Sequence, residues 1–233
     1  MNDENIINYV EQQNSNLKNQ KISSFNVIFK DRFEKNIDIK KVLNYIDSVI
    51  PSSFIEDIDI IYVGDFKYFE ERNINAMYLD GAIYVSNEQD NEEDLLDDII
   101  HEIAHLVEEK YSEHLYIDRE IENNFLHKRN ILERTLRHYD YDTSDYDFNN
   151  LEYNKELDTF FYEEVGYEKL NTFVQGLFVS EYSATSFKEY FAAGFEEYYL
   201  GDRALLKQIS SYVYDKVTSL EERLEKEENE IYI

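Results

Sequence analysis

The hydrophobic period of this chain changes near residue 90, and the change restricts the fold to a sheet-forming part followed by a helical part. Before it, residues 22–29 and 57–63 read as strands. Residues 77–86 set Asp80-Gly81 between two β-rich runs, the turn chemistry of a tight hairpin. Between these strands Ile37, Ile39, Val42, Leu43, Ile46, Val49 and Ile50 recur at helical spacing up to Pro51, the only proline. After the change, helical periods predict helices over 94–111, 117–137, 186–200 and 204–228. Residues 139–153, rich in Asp, Tyr and Asn, are expected to form a long loop. It is not a calcium loop: counted from Asp140, the glycine position holds Asp145 and the closing glutamate position holds Leu151. Residues 1–20 are polar, without a period, and are expected to be a frayed or peripheral start. The pattern is that of an α+β chain, with a single domain over 21–233 divided into a sheet lobe (21–100) and a helical lobe (101–233).

A length of 233 residues suffices for one sizeable core. The 51 acidic against 23 basic residues give a formal charge of -28, which repels phosphate backbones and anionic lipid. No nucleic-acid or membrane partner is expected, and a neutral or basic polypeptide is the favoured one. The 42% hydrophobic content is more than a disordered acidic chain carries. With no cysteine, any metal must be held by His, Asp or Glu. The chain has no apolar run of membrane length and no basic-then-apolar start, so as written it is expected in the cytoplasm, with export by another route or a trimmed signal left open.

Within the predicted helix 94–111 stands His101-Glu-Ile-Ala-His105. Two His four residues apart lie one turn apart on one helix face, so both imidazoles reach one ion, and zinc suits them. On a helical wheel Leu95, Leu96, Ile99, Ile100, Ile103, Ala104, Leu106 and Val107 crowd one half, leaving the His pair and Glu102 on the other, facing a cleft. Glu102 cannot ligate beside both His, but it stands where a general base for a water at the metal belongs. Asp97, Asp98 and Glu108 flank the pair and are candidates to orient the imidazoles.

A catalytic zinc keeps three protein ligands. The pattern with a third His six residues beyond the second fails, because Tyr111 stands there and Glu108 replaces the intervening glycine. His114, His127 and His138 qualify by residue type alone. Glu189 lies in a helical stretch whose small residues Ala192, Ala193 and Gly194 permit close approach to a neighbour while Phe191, Phe195 and Tyr199 bury its apolar side. Ser186-Phe-Lys-Glu189 also spells a capping box, which would employ Glu189 only at its own helix start.

These two segments together resemble the gluzincin metallopeptidases of the anthrax lethal factor type, including the clostridial Pro-Pro endopeptidases. The resemblance rests on His101-Glu-Ile-Ala-His105 with Glu108 shortly after, and on Glu189-Tyr-Phe-Ala-Ala-Gly-Phe195. It implies a zincin-like fold with the active-site helix between the lobes, Zn2+ as cofactor, and His101, His105 and Glu189 as its ligands. It also implies Glu102 as catalytic base and Tyr182, seven residues before Glu189, as a catalytic group that stabilises the transition state. Two departures stand out: Ala193 replaces a second family glutamate, and residues 112–177 form an addition expected to be a helical subdomain. Substrate preference, proline-directed cleavage included, does not carry over. The expected function is a zinc metalloendopeptidase that hydrolyses peptide bonds through a metal-activated water. The alternatives are a non-catalytic, single-target regulatory or virion-associated protein retaining this fold, and a zinc hydrolase of a non-peptide substrate. The hairpin strand over 82–86 is expected either to receive an extended substrate as an added strand or to lie inside the sheet.

Overall fold

The computed structural model describes residues 18–72 and 74–231, so most of the polar start over 1–20 lies outside the described residues. The chain forms two compact units, Met1–Leu106 and Val107–Ile233. Their elements make it a mixed α+β protein, with a five-stranded mixed sheet in the first unit and helices in the second. Among the described residues, no helix is long and apolar enough to cross a membrane.

In the first unit the strands are β1 (Lys18–Ile22), β2 (Phe25–Phe29), β3 (Ile60–Gly64), β4 (Ala76–Leu79) and β5 (Ala82–Ser86). Their order is β1-β2-β3-β5-β4, with β2, β3 and β5 parallel and both outer strands antiparallel to their neighbours. The stretch predicted as one strand over 22–29 is instead a hairpin partner: Ser23, at φ 54°, turns the chain so that Ile22 pairs with Phe25. The Asp80-Gly81 turn is as expected, both residues having positive φ (47° and 80°), and the Gly81 N–H donates to the Tyr78 hydroxyl at 3.3 Å. Two-residue alternation gives the sheet two apolar faces. Val27, Ile61, Val63, Ile83 and Val85 are fully buried on one. On the other, Tyr62 stacks on Tyr84 at 5.1 Å beside Phe66 and Phe69. Helix α1 (Ile39–Val49) begins at Asp38, whose side chain accepts the Lys41 N–H, and buries Val42, Leu43 and Ile46. Two short helices, α2 (Ser52–Ile55) and α3 (Lys67–Arg72), complete the described helices before residue 90.

Helix α4 (Glu92–Tyr116) runs past the division between the units. The Asn91 side chain accepts the N–H groups of Glu93 and Asp94, and Glu92, Glu93 and Asp94 add negative charge where the helix dipole favours it. Tyr111 leaves helical geometry (φ -116°, ψ 21°), which ends the regular part where the predicted helix ended.

The second unit continues with α5 (Glu120–His138), α6 (Lys155–Thr159), a π-helical turn over Phe160–Val165, α7 (Tyr167–Val174), α8 (Phe187–Leu200), α9 (Arg203–Ile209) and α10 (Ser211–Ile231). Gly166, at φ 80°, closes the π turn by donating to the Phe161 carbonyl. The helix predicted over 204–228 is two helices, because Ser210 departs from helical geometry (ψ 58°) while its hydroxyl and the Ile209 carbonyl are held by Lys128. Aromatic rings build the core: Phe125 lies 5.5 Å from Tyr190, 5.9 Å from Phe187 and 6.2 Å from Phe178. The small residues of α8 do permit close approach: a Cβ on Gly194 would stand 2.7 Å from Val213 of α10.

Candidate metal centre

Each proposed ligand is placed by its own helix. Within α4, His101 and His105 are half-buried with ring centroids 5.1 Å apart and an interplanar angle of 79°, the one-turn spacing the sequence requires. In α8, Ser186 is the N-cap and its hydroxyl accepts the Glu189 N–H at 3.2 Å, which sets Glu189 in the first turn of the helix. One ligand atom from each of His101, His105 and Glu189 lies within 4.8 Å of the others, and this group can hold a metal ion. Two imidazole nitrogens and a carboxylate oxygen are a donor set that suits zinc.

Glu102 is 8% exposed, less open than the half-buried His pair on the same helix. Its carboxylate turns to the sheet, where Oε2 accepts the Tyr78 N–H of β4 at 2.5 Å. The base candidate is therefore oriented by a backbone donor. The strand over 82–86 is internal, paired with β3 on one side and β4 on the other, and cannot receive an added strand; the outer strand on this side is β4.

Of the flanking carboxylates, Asp98 accepts from Gln89 at 2.9 Å. Burial pushes its carboxyl up to about 6, against the opposing pull of that hydrogen bond. Asp97 is exposed. Glu108 is buried and accepts the Tyr116 hydroxyl at 2.6 Å. Burial and the Glu108 charge hold that phenol well above its ordinary value, so it stays a donor. Tyr182 stands on the 3₁₀ turn Tyr182–Ala184 ahead of the Ser186 cap and is 38% exposed.

His114, His127 and His138 do not belong to the donor group. His127 and His138 are exposed, while burial and then the Lys216 charge hold the His114 imidazole below its ordinary pKa. Sequence reasoning missed the backbone partner of Glu102, for which a strand register was needed, and the buried cations Lys128 and Arg129, whose type argued for the surface.

Comparison with known proteins adds no relative: no family model, curated protein or solved structure matches the chain.

Proposed function

We propose that this chain is a zinc-dependent metalloendopeptidase of the gluzincin type, with a zincin-like arrangement of sheet and helices. The observation that carries the reading is the convergence of His101, His105 and Glu189, drawn from segments more than eighty residues apart, beside a helix that also bears Glu102. Zinc, when bound, supplies Lewis acidity, lowering the pKa of a water and polarising the scissile carbonyl. The chain's own residues do the rest. Glu102, oriented by the Tyr78 N–H, takes the proton of the attacking water at its carboxylate and returns it to the leaving amine. Tyr182 donates its phenolic hydrogen to the developing oxyanion. The acidic surface favours neutral or basic polypeptides as substrates.

The test combines metal analysis with cleavage profiling. Protein never exposed to chelators is expected to carry about one zinc per chain and to cut a denatured protein mixture or peptide library. Glu102→Gln should retain the metal and lose nearly all turnover. Absence of a stoichiometric transition metal in the parent, or a Glu102→Gln variant as active as the parent, would refute this function.

A further inference from the structure

Helix α5 buries two adjacent cations, Lys128 (5% exposed) and Arg129 (0%). Buried cations in folded proteins are ordinarily paired with carboxylates, since an ion removed from water costs several kcal/mol, on the order of a whole salt bridge or more. Here the hydrogen-bond acceptors are neutral. Arg129 Nη1 donates to the carbonyls of Ala184 at 2.9 Å and Thr185 at 3.2 Å, with the Phe125 and Phe148 rings 5.2 and 5.6 Å from the guanidinium carbon. Its Nε and Nη2 are buried and have no hydrogen-bond partner among the described residues. Lys128 Nζ donates to the Tyr190 hydroxyl and the Ile209 carbonyl, both at 2.7 Å, and to the Ser210 hydroxyl at 3.0 Å. A half-satisfied buried guanidinium is a poor source of stability, which directs attention to what its hydrogen bonds hold in place.

The acceptors bracket one turn of chain. Ala184 and Thr185 lie immediately before the Ser186 cap, and Tyr190 immediately follows Glu189. The Phe187 N–H, inside the bracket, donates to the Leu151 carbonyl at 2.8 Å. Every one of these anchors belongs to residues 112–177 or to the junction of α9 and α10 at Ile209 and Ser210, outside α8 itself. We propose that Lys128 and Arg129 are positioning residues for Glu189: they fix the first turn of α8 from both ends, and the long segment after the His pair serves as the internal scaffold of the third ligand. This rests on Glu189 being a metal ligand.

The experiment uses the full chain, as parent, Arg129→Met, Arg129→Lys and Lys128→Met. Zinc affinity is measured against a competing chelator, the cobalt(II) absorption spectrum reports the ligand field, and amide hydrogen exchange is followed in the metal-free proteins. Loss of a group that orients a ligand typically weakens metal binding about 10- to 100-fold, and that loss is expected for Arg129→Met and Lys128→Met, with an altered cobalt spectrum. Arg129→Lys should lose less than Arg129→Met, because it keeps a donor but not the fork. The Thr185 and Glu189 amides should exchange faster in the metal-free Arg129→Met, with those of Ile61 and Ile83 unchanged. Folded Arg129→Met and Lys128→Met variants that bind zinc as tightly as the parent, with unaltered cobalt spectra, would overturn the assignment. Should Arg129→Met fail to fold, Arg129→Lys and Lys128→Met decide by the same criterion. A parent that binds neither zinc nor cobalt sinks the metal reading and this inference together, an outcome distinct from equal binding by parent and variants.

Discussion

Replacing Gly194 by alanine tests whether α8 is held where it is by close packing on α10. The added Cβ would lie 2.7 Å from Val213 Cγ1 and 3.4 Å from its Cβ. Carbon atoms attract best at about 3.5–4.0 Å, so the Cβ and Cγ1 must separate by most of an ångström. Val213 is fully buried and β-branched, with little rotamer freedom to yield. Overpacking of this kind costs about 1–3 kcal/mol, while alanine in place of glycine inside a helix returns about 1 kcal/mol. Gly194→Ala is thus expected to lose up to about 2 kcal/mol net. Val213→Ala alone, which removes two buried carbons, should lose about 2 kcal/mol. In the double variant the new methyl enters the space Val213 vacates, so its loss should fall short of the sum of the singles by about 1–2 kcal/mol. Urea unfolding of the metal-free chain, followed by circular dichroism, measures all four corners. Stabilisation by Gly194→Ala, together with additivity to within about 0.5 kcal/mol, would refute the close contact.

Two further outcomes follow from the geometry. Ser186→Ala removes the cap on the Glu189 N–H and should cost about 1 kcal/mol of stability with little change in zinc affinity, whereas Glu189→Ala should abolish hydrolysis and weaken zinc severely; equal effects on zinc in the two variants would reduce Glu189 to a capping role. Burial lowers Lys128 to about 7 in the fold against 10.5 for an exposed lysine, so between these values the unfolded chain binds a proton that the folded chain does not. This group's contribution therefore becomes more favourable as pH rises, by about 2 kcal/mol from pH 7 to 9. A parent-minus-Lys128→Met stability difference that stays flat over that range would show that the three acceptors keep Lys128 protonated.

The features legible in the sequence are those in which residue type and local spacing suffice. A His pair four apart in a helical period, Asp80-Gly81 between β runs, and Ser186 three residues before Glu189 each specify their own geometry without help from the rest of the chain. What escaped depends on distant partners. Ser23 takes a left-handed conformation with no glycine to announce it, and Ser210 breaks a helical period whose residues argue for continuity. The short helices over 155–174 are fixed by rings such as Tyr146 on Phe160, stacked at 4.4 Å, rather than by a long periodic stripe. Lys128 and Arg129 read as solvated charges until their carbonyl and hydroxyl acceptors are known.

The hydrogen bond from the Tyr78 N–H to Glu102 also bears on self-association. Strand β4 is an outer strand, and unpaired backbone donors on such a strand invite pairing with another copy of the sheet. The Glu102 carboxylate occupies the donor near the middle of this four-residue strand, closing it to a second chain. A glutamine at 102 can still accept there through its amide oxygen; an alanine cannot. Glu102→Ala would thus remove the proposed base and unblock the sheet edge in one change, so activity lost in that variant could reflect assembly as well as chemistry.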